Sequence, residues 1–109
     1  MKIVNRIKKN EDFALTIKNG RVFHNSSFTI YVCLNSLNHF RVGISVSKKV
    51  GDAVTRNRIK RQVRAICDDL LDYNQGSSDI VIIIRPKFLE KDFWANRDKL
   101  QELLNLGRN

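Results

Sequence analysis

Along residues 28–35 apolar and polar side chains alternate without a break: Phe28, Ile30, Val32 and Leu34 against Thr29, Tyr31, Cys33 and Asn35. A period of two is that of a β-strand with one face on a core. Residues 40–47 repeat it, with Phe40, Val42, Ile44 and Val46 on one side and Arg41, Gly43, Ser45 and Ser47 on the other. Residues 21–35 read as strand broken near Asn25-Ser26, and Asn35 to His39 as the turn of a hairpin into the next strand. The period then changes. Ile59, Val63, Ile66, Cys67 and Leu70 recur at i, i+4, i+7, i+8 and i+11, one apolar stripe of an α-helix. Gly51-Asp52 is turn chemistry, and Thr55 suits the N-cap of a helix whose first residue is Arg56 and which runs over 55–73.

Residues 79–84, DIVIII, are a near-continuous apolar run closed by Pro86. Such a strand is buried on both faces, and a strand–helix–strand crossover sets it in the same sheet, parallel to residues 40–47. Two further helices flank the strands. One spans 10–19, with Asn10 as N-cap, Glu11 and Asp12 in the first turn and Gly20 just past the end. The other spans 90–106, with Phe93, Trp94, Leu100, Leu103 and Leu104 near one side and Trp94 read as a packing residue. Together these predict an α/β (α+β) two-layer sandwich: a mixed sheet of about four strands with helices near 10–19, 55–73 and 90–106. One domain is expected over residues 1–109.

Charge narrows the function. The chain carries 20 Lys and Arg against 11 Asp and Glu, a formal charge of +9 on 109 residues. A domain this small and this basic implies a polyanionic partner, most simply nucleic acid. The excess is concentrated between Lys48 and Arg64, where Lys48, Lys49, Arg56, Arg58, Lys60, Arg61 and Arg64 face one acid, Asp52. Five of those cations fall between Arg56 and Arg64, the first two and a half turns of a helix starting at Arg56, against the positive end of the helix dipole. Free N–H groups at a helix start also suit phosphate. A solvated basic face is the plain alternative. The strand face carrying Tyr31, Arg41, Gly43 and Ser45 has two readings as well: a groove for a ligand lying along the strands, or an ordinary solvated face.

Cys33 and Cys67 have no CxxC spacing and no histidine cluster nearby, so free thiols are expected and no metal site. His24 and His39 are isolated. No nucleophile–base pair or carboxylate cluster is legible, so no catalytic residue is assigned. The longest apolar run, residues 80–84, is too short to span a membrane, and the basic N-terminus lacks an apolar h-region.

The stretch RVGISVSKKVGDAVTRNRIKRQVR, residues 41–64, resembles the signature of the bacterial ribonuclease P protein family. Its centre is Arg56-Asn57-Arg58, followed by Lys60-Arg61 and Arg64, and Asn5 to Phe13 with Gly20 also look like that family. The resemblance covers nearly the whole chain. It implies a fold related to the second domain of ribosomal protein S5, with a left-handed crossover beside the basic helix, the opposite of the usual hand. It implies a protein subunit assisting a catalytic RNA, which carries the active site and its Mg²⁺ ions and removes the 5′ leader from precursor tRNA. The protein's share is to bind that RNA and hold the single-stranded leader, raising substrate affinity and lowering the demand for Mg²⁺. Cytoplasmic location follows, with no membrane, no obligate protein partner and no organic cofactor.

Carried onto this sequence, the resemblance implies leader binding by Phe13, Ile17, Tyr31, Lys49, Arg56, Asn57, Lys60 and Arg61. It implies contact with the ribozyme by Lys48, Arg58 and Arg64. Phe13 and Tyr31 would stack on bases. For Ile17 simple packing on the sheet is the competing role, and for Asn57 a backbone contact at the helix start. The rival function is a ribosomal or general RNA-binding module with no part in processing. A DNA-binding recognition helix fits less well, because a strand rather than a helix precedes residue 56.

Overall fold

The apolar run at residues 79–84 settles the sheet. In the computed structural model, which describes residues 1–108 and leaves Asn109 outside them, this run becomes β4, Ser78–Ile84. The strands before it are β1, Arg21–His24, β2, Phe28–Leu34, and β3, Arg41–Ser45. Their order is β1-β2-β4-β3, with β2 antiparallel to β4 and β3 parallel to it. Residues 35–39 therefore do not close the expected hairpin, because β4 lies between β2 and β3. The reason is burial. Ile80, Val81 and Ile82 are all buried, so their strand is most stable with a neighbour on each side. The loop instead crosses the end of β4, where the Asn35 amide N–H donates to the Ser77 carbonyl at 2.9 Å. The hairpin the chain does form joins β1 to β2. Asn25 Oδ1 accepts from the Ser27 and Phe28 amides, which is the break anticipated at Asn25-Ser26.

The helices are α1, Asn10–Asn19, α2, Ala53–Leu70, and α3, Phe93–Gly107. Ile59, Val63 and Ile66 of α2 and Leu100, Leu103 and Leu104 of α3 pack on Phe28, Ile30, Val42 and Ile82 of the sheet. α1 sits on the opposite face, where Val81 is fully buried apart from that cluster and Phe13 lies over Gly43. The segment before α1 runs along the free edge of β3, with Arg6 bridged to Val42 and the Ile7 amide donating to the Val42 carbonyl at 3.1 Å.

Several boundaries move, each because of a cap. α2 begins at Ala53, not at Arg56, because Asp52 rather than Thr55 is its N-cap: the Asp52 carboxylate accepts from the Thr55 amide at 2.8 Å. The helix ends at Leu70, and residues 73–75 form a separate 3₁₀ turn. α3 begins at Phe93 because Asp92 caps it through the Ala95 amide, leaving Pro86–Glu90 as a 3₁₀ turn. Asn10 is the first residue of α1 and not its cap. Gly20 keeps an ordinary φ of −76°; it is needed because a Cβ there would lie 2.4 Å from the Thr16 carbonyl oxygen. Trp94 does not pack in the core. It is 68% exposed, edge-on to Phe93 with centroids 5.2 Å apart. Leu34, at the strand end opposite Ser78, is 84% exposed.

The Asp52 cap gives a first testable consequence. The Thr55 amide, then the charges of Arg56 and Arg58, hold its carboxyl below the ordinary value. A depressed carboxyl contributes stability above the unfolded value of about 4, and that contribution is lost as pH falls through the lower folded value. Asp52→Ala is expected to lower Tm at pH 6, and the difference from the unaltered chain should close on acidification towards pH 2. A difference independent of pH would show that the carboxylate is not the cap.

Candidate nucleic-acid interface

Moving the start of α2 changes how its charge is arranged. The first turn is now Ala53, Val54 and Thr55, and the cations occupy the second turn onward. The conflict with the helix dipole is therefore milder than a start at Arg56 implies, and Asp52 offsets it at the cap. What remains is crowding. Among the described residues, Lys48, Lys49, Arg56, Arg58, Lys60, Arg61 and Arg64 make no ion pair and no side-chain hydrogen bond; the ion pairs lie elsewhere. These cations are not spent on the fold.

The apolar stripe decides where they point. Burying Ile59, Val63, Ile66 and Cys67 turns Lys60 and Arg64 toward β3 and α1, at about 100° per residue. Asn57 and Arg61 point to solvent. Arg58 falls on the other flank, that of Asp69, whose carboxylate pairs with Arg97 of α3 at 2.6 Å. Lys48 and Lys49 are exposed in the turn ahead of the helix.

Between α1 and α2, on the outer part of the sheet, lies an open cleft of about 390 Å³. Its floor is Ile44, Ser45 and Val46; Phe13 and Ile17 form one wall and Lys60 stands on the other. Phe13 enters it because residue 43 is glycine. A Cβ on Gly43 would come within 2.3 Å of the Phe13 ring. Ile17 is 38% exposed in the cleft wall rather than packed away. On the far side of Phe13 a smaller cavity of about 100 Å³ is lined by Gly43, Ile44, Arg6 and Arg64. An apolar and aromatic wall opposite unpaired cations suits a strand of nucleic acid, with bases on the ring and phosphates on the ammonium and guanidinium groups.

A family model described as Ribonuclease P matches residues 1–106. The chain belongs to the ribonuclease P protein family. It is 41% identical over 109 residues to the ribonuclease P protein component of Listeria welshimeri, covering 99% of this chain and 92% of that one. With the Mesoplasma florum component the figure is 43% over 99 residues, 90% of each. The RNase P protein of Staphylococcus aureus superposes with a TM-score of 0.84 at 37% identity, covering 94% of both chains. That of Thermotoga maritima superposes at 0.79 and 35%, covering 91% of this chain and 94% of the other.

Not every residue that the family resemblance points to is gathered at the cleft. Phe13, Ile17 and Lys60 are. Tyr31 shares the sheet face but pairs across strands with Val22 and Val81, so β4 separates it from Gly43 by about 10 Å of strand spacing. Arg64, assigned by resemblance to the ribozyme, lines the small cavity beside Phe13. Arg41, which the strand pattern put on the open face, is committed internally. Its Nε donates to Asp79 Oδ1 at 2.9 Å and its terminal nitrogen to Oδ2 at 2.6 Å, with Asp12 at 3.4 Å and Asn35 Nδ2 on the same Asp79 Oδ1 at 2.8 Å. The bond to Asp79 raises the Arg41 pKa further. Asp12 and Asp79 were invisible as partners, since residues 12, 41 and 79 meet only through the tertiary pairing. Arg6 was likewise missed; its place in the motif-like NRIKKNEDF was the one hint. Burial pushes the Cys67 thiol up to about 12, leaving it an inert core residue.

Proposed function

We propose that this chain is the RNA-binding subunit of ribonuclease P, assisting a catalytic RNA in removing the 5′ leader from precursor tRNA. The observation that carries this reading is the cleft: Phe13 and Ile17 face Lys60 across a floor of small and apolar side chains, beside cations that form no ion pair among the described residues. In this reading the single-stranded leader lies in the cleft. Phe13 stacks on a base, an interaction of roughly 1–3 kcal/mol. Lys49, Arg56, Asn57, Lys60 and Arg61 neutralise or hydrogen-bond leader phosphates, and Lys48 and Arg58 meet the ribozyme. Tyr31 then touches the leader only where it runs beyond the cleft onto β2. Neutralising phosphates raises substrate affinity and removes part of the work that Mg²⁺ otherwise does in RNA.

Mg²⁺ belongs to the RNA subunit here. Among the described residues no three His, Cys, Asp or Glu gather within reach of one ion, and the cleft presents cations, which fit phosphate and not a metal. The chain's own work is therefore binding and orientation. The working form is one RNA-binding domain over residues 1–109, acting in the cytoplasm with no obligate protein partner. No described helix is long and apolar enough to cross a membrane.

The test is cleavage of a leader-bearing precursor tRNA at low Mg²⁺ by this protein, by a matched bacterial ribonuclease P RNA, by both, and by neither. Cleavage at the mature 5′ end only with both present is the expected result. Cleavage by protein alone would move the active site into this chain, and no stimulation would favour the general RNA-binding module. A second measurement probes the cleft itself. Gly43→Ala, whose new methyl must displace Phe13, is expected to weaken binding of leader-bearing RNA by roughly fivefold or more, the lower range of a lost stacking contact. Affinity for leaderless tRNA should not change; an equal loss for both would mean that Phe13 does not meet the leader.

A further inference from the structure

Phe13 divides the groove. On one side is the cleft with Lys60; on the other is the cavity of about 100 Å³, room for roughly three waters. That second space is too small for a nucleobase and its sugar, and large enough for a tetrahedral oxyanion. Its charged lining residues are Arg6 from the segment along β3, Arg64 from α2 and Met1 with its terminal amino group, and among the described residues no Asp or Glu lines it. Arg64 has no partner among the described residues. Arg6 Nε is fully shielded and equally without one; among the described residues the side chain's one hydrogen bond is a long 3.5 Å contact from a terminal nitrogen to the Met1 carbonyl. A shielded donor left unpaired costs free energy, and a charged one costs more. Asp68 lies near enough to feel the Arg6 charge, but its oxygens are taken by the Met1 amino group at 2.7 Å and the Tyr73 hydroxyl at 2.8 Å. Arg6 also borders a wider, more open cavity of about 300 Å³ lined by Lys8, Lys9, Arg41 and Asp12, where Arg41 and Asp12 already pair.

We infer that Arg6 and Arg64 form an oxyanion subsite under Phe13 that takes a phosphate of bound RNA, next to the base that stacks on the ring. Arg6 thus belongs to the RNA interface, although it lies far before the basic helix in sequence. The inference rests on the RNA-binding reading above and adds a subsite to it. The geometry favours arginine over lysine there, because a guanidinium offers its two terminal nitrogens together to two oxygens.

The Nε–H signals of the arginines report on this directly. The full chain, ¹⁵N-labelled, would be titrated with inorganic phosphate and then with a five-nucleotide RNA. A saturable shift of the Arg6 Nε–H with both ligands is expected. With RNAs carrying one neutral methylphosphonate at each linkage in turn, one linkage should abolish the shift. An Arg6 signal that stays still while backbone signals around Lys60 move would overturn the subsite and leave the leader-binding reading intact. If nothing moves with RNA, that reading fails, whatever phosphate does. Arg6→Gln in the reconstituted holoenzyme supplies the second arm. About a tenfold loss of affinity and a salt slope shallower by about 0.7 are expected. A loss confined to leader-bearing substrate assigns the phosphate to the leader; a loss in assembly assigns it to the ribozyme. An unchanged slope with lowered Tm would make Arg6 structural and refute the proposal.

Discussion

With Arg56, Lys60 and Arg61 all replaced by glutamine, affinity for leader-bearing precursor tRNA is expected to fall about a hundredfold at about 0.1 M salt. The figure follows from counterion release. Each cation that neutralises a phosphate of single-stranded RNA contributes about 0.7 to the slope of log K against log salt, so three lost contacts remove about two decades at that concentration. The slope itself should change from about −3.5, for five phosphate contacts, to about −1.4. The same substitutions should not harm folding. Among the described residues none of the three makes an ion pair or a side-chain hydrogen bond, and Arg61 is exposed. Relieving repulsion between Lys60 and its i−4 neighbour Arg56 favours the helix by a few tenths of a kcal/mol. Tm should hold or rise slightly while binding collapses. Filter binding of precursor tRNA over a salt series, beside a thermal melt, separates the two effects. A slope that stays near its original value would mean that the phosphates are met elsewhere on the surface.

The part of the site carried by α2 was legible because helical periodicity is local. Ile59, Val63, Ile66 and Cys67 fix which face is buried, and every cation then has a direction before any coordinate is known. The strands were legible for the same reason. What was hidden depends on pairing between distant residues. Nothing near residue 35 says that β4 will enter between β2 and β3; that follows from how much apolar surface residues 80–84 need to bury, a comparison across the whole sheet. The cap of α2 was misplaced by three residues because Asp52 and Thr55 are both good caps, and they turn out to be the two ends of one hydrogen bond. Trp94 does not belong with Leu100 and Leu104: at about 100° per residue it stands about 120° from Leu100, off the buried face of α3, and it is exposed there. Arg41 was misread for a deeper reason. An arginine alternating out of a strand looks like an open cation, and only the register Arg41↔Asp79 reveals that its charge is consumed.

That register leads to the largest expected effect on stability. Asp79→Ala should cost about 3 kcal/mol, the low end of the range for breaking a buried pair, since Arg41 is 21% exposed and solvent recovers part of the loss. Asp79 is 7% exposed and receives both nitrogens of Arg41 as well as the Asn35 amide. Its removal leaves the guanidinium with Asp12 as its one remaining carboxylate, through a longer bond of 3.4 Å, and frees the loop that crosses the end of β4. Asp12 compensates only in part, and it would draw the freed guanidinium toward α1. Against a typical total of about 5–15 kcal/mol, that loss leaves a marginal protein. Urea unfolding should show a lower midpoint at unchanged slope. Replacing both partners with apolar residues of similar size, Arg41→Met with Asp79→Leu, should cost less than the single change, because no buried charge is then left alone. If the double variant is the less stable of the two, the bidentate pair itself, and not the orphaned charge, holds β3 to β4. In that case the tether from Arg41 through Asp12 to α1 also becomes the element that keeps Phe13 over the cleft, and leader binding should fall with it.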